Sequence, residues 1–313
     1  MDFMTLKTVF ICLCLTALPV SCSSNTPKDN STSAAENDST CQNTVRHRSV
    51  LDSCIYTKSD SSKIVSMLKM DIPAGESDIL FYARKFIGSP YVASTLEGDE
   101  DEPIVINTRS LDCTTLVETV CALAMTKRHG GDKFADYAKS LESIRYRGGK
   151  RNGYLSRLHY FTWWMDDGVE KGIFEEVEDP KNFTAKKHVR NHYMSTYPHK
   201  YSMLKLHPEW RDSIAELEKA YNGIVANYLP EKRTSLGKEE LSSVKDGDIL
   251  AIVTKKDGLD YSHLGFAVWG KDGKLHLLNA SSIYKRVVED KRTLFNYLLR
   301  QRSAIGVKVL RLR

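Results

Sequence analysis

Residues 262–281 read Ser262-His263-Leu264-Gly265-Phe266-Ala267-Val268-Trp269-Gly270-Lys271-Asp272-Gly273-Lys274-Leu275-His276-Leu277-Leu278-Asn279-Ala280-Ser281. Leu264, Phe266 and Val268 recur at every second position, the period of a strand with one face on a core. Turn residues from Gly270 to Gly273 separate this run from a second apolar one, so the stretch predicts a β-hairpin. If the loop is Lys271-Asp272-Gly273, with the glycine in the left-handed position, Gly270 pairs with Lys274. That register sets Ser281 opposite His263 and makes Asn279 its diagonal neighbour on the same face, within side-chain reach. His276 falls on the other face. A loop one residue longer flips the face, but His276 then lies opposite Ala267, too far along the strand. The face carrying His263, Gly265 and Ala267 is small, and a helix is expected to approach it closely.

Outward from the hairpin, 248–254 and 305–312 are further strand candidates. Upstream, helix-spaced apolar sets occur at Ile64-Val65-Met67-Leu68 and Ile79-Leu80-Ala83-Phe86-Ile87, the second stopped by Gly88-Ser89-Pro90-Tyr91. A strong helix is predicted over 113–125, with Leu116, Val117, Val120, Cys121 and Ala124 on one stripe, and others over 132–145, 157–168 and 208–223. Ile104-Val105-Ile106 is a short apolar piece, and 174–240 is mixed. Helices first and an antiparallel sheet afterwards argue an α+β fold.

The 313 residues are 41% hydrophobic and 9% aromatic, enough for a sizeable core. The net charge is +5, and the two signs are interspersed rather than clustered, which gives no support to a nucleic-acid partner. Seven cysteines are too few for a disulfide-built scaffold.

The first residues read as a leader. Lys7 precedes the apolar run 9–18, which is secretory in length and too short to span a bilayer. Leu18-Pro19-Val20-Ser21-Cys22 resembles the cleavage site of bacterial lipoproteins, except at Pro19. The expectation is a signal peptide over 1–21 and export across the inner membrane, followed either by lipid anchoring at Cys22 or by plain cleavage. Of residues 23–40, 11 of 18 are Ser, Thr or Asn, so 22–58 reads as a flexible tether ahead of one domain, 59–313. Cys41 and Cys54 could pair in an oxidising periplasm.

The chemistry centres on Cys113, which opens its helix after Asp112. Asp112 is a candidate N-cap, and Thr115 with Glu118 offers a rival capping box one turn later. A thiol at a helix N-terminus feels the positive end of the macrodipole, which favours the nucleophilic thiolate. Cys121, deep in the apolar stripe, reads as a core residue. His263 is the candidate base for Cys113, and Asn279 the group that orients its ring.

The order Cys, His, Asn is that of papain-like peptidases, without their local cysteine signature. The pieces resemble the NlpC-type cysteine amidase superfamily of bacterial cell-wall enzymes at Gly88-Ser89-Pro90-Tyr91, Asp112-Cys113-Thr114, Asp246-Gly247-Asp248-Ile249, Ser262-His263-Leu264-Gly265 and Asn279-Ala280-Ser281-Ser282. More narrowly they resemble its N-acetylmuramoyl-L-alanine amidase branch, through residues 106–115, Ile144-Arg145-Tyr146-Arg147 and 156–161. The resemblance runs from about residue 75 to the end. Many relatives have His where this chain has Asn279.

The resemblance implies a papain-like core with the nucleophile helix packed on the C-terminal sheet, and a large insertion at about 146–240. It also implies Tyr91 beside the sulfur or the oxyanion, and Asp112 as cap or substrate contact. It implies peptidoglycan fragments as partners and no cofactor. The insertion is expected to shape the substrate site with Arg157, His159, Tyr160 and Trp164, joined by Ser262. Its rings suit stacking on sugars, and Arg145, Arg147, Arg151 and Arg157 suit peptide carboxylates. Phe161 and one tryptophan are alternatively core on the 157–168 helix. Cleavage between D-glutamate and the diamino acid, or glycan binding without catalysis, are the other functions compatible with these features. A zinc reading rests on His188 and His192, whose i, i+4 spacing shares one face if that segment is helical.

Overall fold

The computed structural model describes residues 49–98 and 102–313. The expected signal peptide, Cys22, Cys41 and most of the expected tether lie outside the described residues. The end of that tether is folded, contrary to the boundary at 58: Ser49 caps a 3-10 turn over Val50–Ser53, and β1 (Cys54–Ile55) pairs in parallel with β2 (Ile104–Val105). A strand of two residues has no period to read, which is why the sequence places the onset later.

The N-terminal half supplies α1 (Lys58–Leu68), α2 (Asp78–Arg84), α3 (Cys113–Arg128) and α4 (Phe134–Arg145). The segment 146–240 then adds α5 (Phe161–Glu170), β3 (Phe174–Glu176), β4 (Ala185–His188), α6 (Tyr193–Thr196), α7 (Ser202–Leu206), α8 (Trp210–Tyr221) and β5 (Val225–Pro230). Last come β6 (Ile249–Thr254), β7 (Tyr261–Trp269), β8 (Leu275–Ser281), β9 (Arg286–Thr293), α9 (Leu294–Leu299) and β10 (Ala304–Leu312). The main sheet is antiparallel, in the order β4-β5-β10-β6-β7-β8-β9, with β3 also on β10. The fold is therefore a mixed α+β one.

The hairpin has the register of the three-residue loop: Phe266 faces Leu278, Val268 faces His276, and Gly273 turns with φ +70°. β9 was not foreseen. Its run of Arg286, Glu289, Asp290, Lys291 and Arg292 masks the period, and it lies at the end of the sheet, where charge protects an open edge.

The two faces of the sheet bury different partners. Leu264, Phe266 and Val268 join a core with Leu116, Val117, Val120 and Cys121 of α3. Ala267, on the other face, packs with Leu294, Tyr297 and Leu298 of α9. The α3 helix thus does not lie on the His263-Gly265-Ala267 face as expected. The close approach at Gly265 comes from β8 instead: a Cβ there would sit 2.6 Å from the Leu278 carbonyl oxygen and 3.0 Å from Asn279 Cβ. Between β6 and β7 the register slips by one residue, Ile252 facing His263 and Val253 facing Tyr261. This bulge at Ser262 changes the phase of the strand, so Tyr261 and Leu264 share one core layer.

Candidate active site

Cys113 is the first residue of α3, and Asp112 is its N-cap in β conformation. Asp112 Oδ1 accepts from the Thr115 N–H at 2.8 Å, and Thr115 Oγ1 accepts from the Asp112 N–H at 2.9 Å. The capping box is therefore Asp112 with Thr115, not Thr115 with Glu118. Glu118 is buried and pairs with Arg145 of α4, Nε donating to Oε2 at 2.8 Å. Ahead of the helix, Leu111 N–H donates to the Pro90 carbonyl and Val92 N–H to the Leu111 carbonyl, which fixes Tyr91 beside the entry to α3.

His263 sits at the bulge. Its Nε2 donates to Asn279 Oδ1 at 3.0 Å, and its ring stacks on Tyr297 with centroids 6.2 Å apart. Asn279 is fully buried. With Nε2 engaged by the amide oxygen, Nδ1 is the nitrogen left for the hydrogen bond that joins the ring to Cys113. Burial disfavours the imidazolium, but the negative charge of Cys113, the hydrogen bonds with Cys113 and Asn279 and the charge of Asp112 outweigh it. They hold the ring above the usual histidine value. Tyr91 is pushed up by burial and by the charges of Cys113 and Asp112, so its hydroxyl shares their field. The sulfur, an imidazole and a buried amide thus stand in series, an arrangement able to move a proton between a thiol and a bound substrate.

A cavity of about 150 Å³ opens beside the sulfur, lined by Cys113, Thr114, His159 to Phe161, Met194, Tyr201 and Leu259 to Leu264. Of the substrate residues expected from sequence, His159, Tyr160 and Ser262 line it. The His159 ring donates from Nε2 to the Tyr154 carbonyl at 2.9 Å, and burial with the charge of Arg157 holds it well below the usual value. Tyr160 donates its hydroxyl to Glu218 at 2.6 Å and accepts from the Met194 N–H at 2.9 Å, which ties α5, α6 and α8 into one wall.

Two expectations are corrected. Trp164 is 4% exposed and packs between Phe161 and Phe174, so it is core; Trp163 is buried as well. Arg157 is buried and paired with Glu97 at 2.6 Å and Glu102 at 3.2 Å. Arg145 holds Glu118, Arg147 donates to the Tyr221 hydroxyl, and Arg151 donates to the Glu102 carbonyl. None of these arginines lines the cavity. The helical premise of the zinc reading also fails: His188 ends β4 and His192 precedes α6. Sequence reasoning passed over Asp260, Met194, Tyr201 and Tyr297. Only Asp260 carried a signal, its place next to the Tyr261-Ser262-His263 run.

A family model described as N-acetylmuramoyl-L-alanine amidase-like matches residues 82–306. The chain belongs to this family. An N-acetylmuramoyl-L-alanine amidase from Bacteroides uniformis, solved by crystallography, is 38% identical and aligns over 75% of this chain and 98% of its own, with a TM-score of 0.70. A Bacteroides fragilis structure provisionally called a xylanase is 40% identical, covers 74% of this chain and 99% of its own, and gives a TM-score of 0.68. A Legionella pneumophila protein at 21% identity, covering 81% of this chain and 94% of its own with a TM-score of 0.59, shares the fold. Comparison with proteins of curated function finds no match. The family match spans Tyr91, Cys113, His263 and Asn279 together.

Proposed function

We propose that this family member is a cysteine-dependent amidase that hydrolyses the amide between N-acetylmuramic acid and L-alanine in peptidoglycan fragments. Its helix-on-sheet centre is read as a papain-like, NlpC-type core with the 146–240 segment inserted. The observation that carries the reading is the series Cys113, His263 and Asn279, with the cysteine at a capped helix start and the ring fixed by a 3.0 Å bond to the amide oxygen.

In the proposed reaction the Cys113 sulfur attacks the lactyl carbonyl carbon. The oxyanion is received by the Cys113 backbone N–H, one of the donors that a helix start leaves without an internal acceptor, with Tyr91 beside it. A donor of this kind carries about 3 kcal/mol in related sites. The imidazolium of His263 protonates the leaving L-alanine nitrogen, the C–N bond breaks, and a thioester remains. A water that gives its proton to His263 then attacks the thioester and releases the acid and the thiolate. We further propose export across the inner membrane and anchoring through a lipid on Cys22, to be tested by the mass of the N-terminal peptide of the mature protein.

Digestion of purified muropeptides, read by mass spectrometry, tests the activity. The expected products are free disaccharide and an intact stem peptide, with turnover lost in Cys113→Ala and after thiol alkylation but kept with a chelator. Disaccharide still bearing a dipeptide would assign the cut to the D-glutamate–diamino acid bond. Binding without product, equal in wild type and Cys113→Ala, would leave a glycan-binding protein.

A further inference from the structure

A groove of about 720 Å³ runs between the 147–156 segment and α8, and among the described residues it shares no lining side chain with the cavity beside Cys113. That volume lies within the roughly 300–1,000 Å³ of small-ligand sites. Arg147 stands on one wall. Arg145 and Arg157 direct their charge at Glu118, Glu97 and Glu102. The Arg147 guanidinium instead meets the rings of Trp163 and Tyr221, at 5.3 and 5.7 Å, and donates from Nη1 to the Tyr221 hydroxyl at 2.7 Å. Its Nη2 is buried and has no hydrogen-bond partner among the described residues. The groove is therefore bordered by a cation with one donor left unsatisfied, a costly state that a counter-charge relieves. The α8 wall carries Asp212 and Glu216, both exposed and four residues apart, so two like charges share one helix face. Glu216 meets the exposed Lys219 at 4.0 Å, a contact of little strength. Leu155 and Leu217 make the apolar part of the lining.

One positive and two negative charges around an apolar lining are the complement of a small zwitterion. The reaction proposed above makes one. In the uncut muropeptide the alanine nitrogen is a neutral amide. Hydrolysis turns it into the N-terminal ammonium of a stem peptide that also carries the D-glutamate carboxylate. We infer, on the amidase reading above, that this groove is a second, non-catalytic site that holds the freed stem peptide, Arg147 receiving a carboxylate and Asp212 with Glu216 the new ammonium. The peptide-carboxylate role that the sequence suggests for Arg147 is thereby kept, but away from the sulfur. Uncut substrate lacks that ammonium, so the site separates product from substrate by charge.

Calorimetric titration of the wild-type protein with L-alanyl-D-glutamate and with its N-acetyl form, which lacks the ammonium, tests this. The free dipeptide should bind at least about tenfold more tightly than the N-acetyl form, the scale of one charge-assisted hydrogen bond. In the double variant Asp212→Asn, Glu216→Gln, which alters exposed side chains only, that preference should shrink to within about twofold. In Arg147→Met both ligands should weaken by about tenfold or more. Ser213→Trp fills the groove from the exposed surface of α8, and it should lose the dipeptide while initial muropeptide turnover stays within about twofold of wild type. Failure of wild type to bind the dipeptide, or a preference that persists in the α8 double variant, overturns the inference. Equal dipeptide binding by wild type and Ser213→Trp does so as well, because it places the ligand elsewhere. A matching fall of turnover in Ser213→Trp also overturns it, since the groove then belongs to the catalytic cleft. If Arg147→Met does not fold, the α8 double variant decides alone. Digestion that leaves the dipeptide on the sugar sinks the amidase reading instead, and the binding series is read without reference to turnover.

Discussion

Asn279→Ala isolates the contribution of the orienting amide. Asn279 makes one strong contact, the 3.0 Å bond to His263, and a long 3.5 Å one from Nδ2 to the Leu277 carbonyl. Without it the imidazole is held by Tyr297 stacking and by Cys113. A net hydrogen bond is worth roughly 0.5–1.5 kcal/mol, so kcat should fall roughly 2- to 12-fold. KM should hardly move, since Asn279 does not line the cavity. The pH profile gives the sharper readout. The Asn279 bond is among the influences that hold His263 above its usual value, so removing it lowers the ring's pKa. The imidazolium donates the proton to the leaving amine, and the alkaline limb of kcat/KM reports its loss. That limb should move to lower pH in Asn279→Ala and to higher pH in Asn279→Asp, where a negative charge replaces the amide. Initial rates of muropeptide release, measured by chromatography across the neutral and alkaline range, decide it. An unchanged rate and limb in Asn279→Ala, or limbs moving the same way in both variants, would refute the reasoning.

Other measurements reach further parts of the molecule. Limited alkylation followed by peptide mapping should label Cys113 and spare Cys121, which is fully buried and pushed up by desolvation; preferential labelling of Cys121 would contradict the packing. Arg145→Met leaves Glu118 unpaired between α3 and α4, a loss of about 3–5 kcal/mol, which a thermal melt should show as a fall of roughly 6–20 °C. Adding Glu118→Leu should recover most of that loss, and equal melts for the single and double variants would argue against the pair. Burial opposes ionisation of Asp60, but hydrogen bonds from Thr57 and Thr108 outweigh it and hold its carboxyl at about 2 against 3.8. Its folded pKa being the lower, its stabilisation of about 2 kcal/mol is present above pH 3.8 and lost as the pH falls through about 2. Denaturant unfolding of wild type and Asp60→Asn should converge over that window, and a constant gap would speak against the assignment.

The parts of the site legible in the sequence follow local rules. The loop length of the hairpin fixed which residue shares a face with His263, so Asn279 was identifiable before any coordinates. A helix opened by Asp112-Cys113 is likewise a nearest-neighbour fact. What escaped depends on distant partners or on single extra residues. No spacing tells that Arg157 meets Glu97 and Glu102 across some sixty residues of chain. Small residues at Gly265 and Ala267 do not tell which neighbour comes close, and here β8 and α9 do while α3 covers the other side of the sheet. The charged edge strand β9 and the hold of Thr162, Asn191 and the Tyr261 N–H on Asp260 were hidden for the same reason, their logic lying in neighbours supplied by the fold.

The bulge at Ser262 ties chemistry to counting. Helix α3 and the Gly265–Ala267 side of β7 occupy opposite surfaces of one layer, and a single looped-out residue just before the imidazole lets Tyr261 join Leu264 on the α3 side. Deleting that residue would force Tyr261 off the core layer it shares with Leu264 or drag His263 out of register, and sliding the strand by one would turn Leu264, Phe266 and Val268 away from α3. The segment just before His263 should therefore accept changes of side chain at Ser262 far more readily than changes of length, and its indels should lower the melting temperature and the activity together.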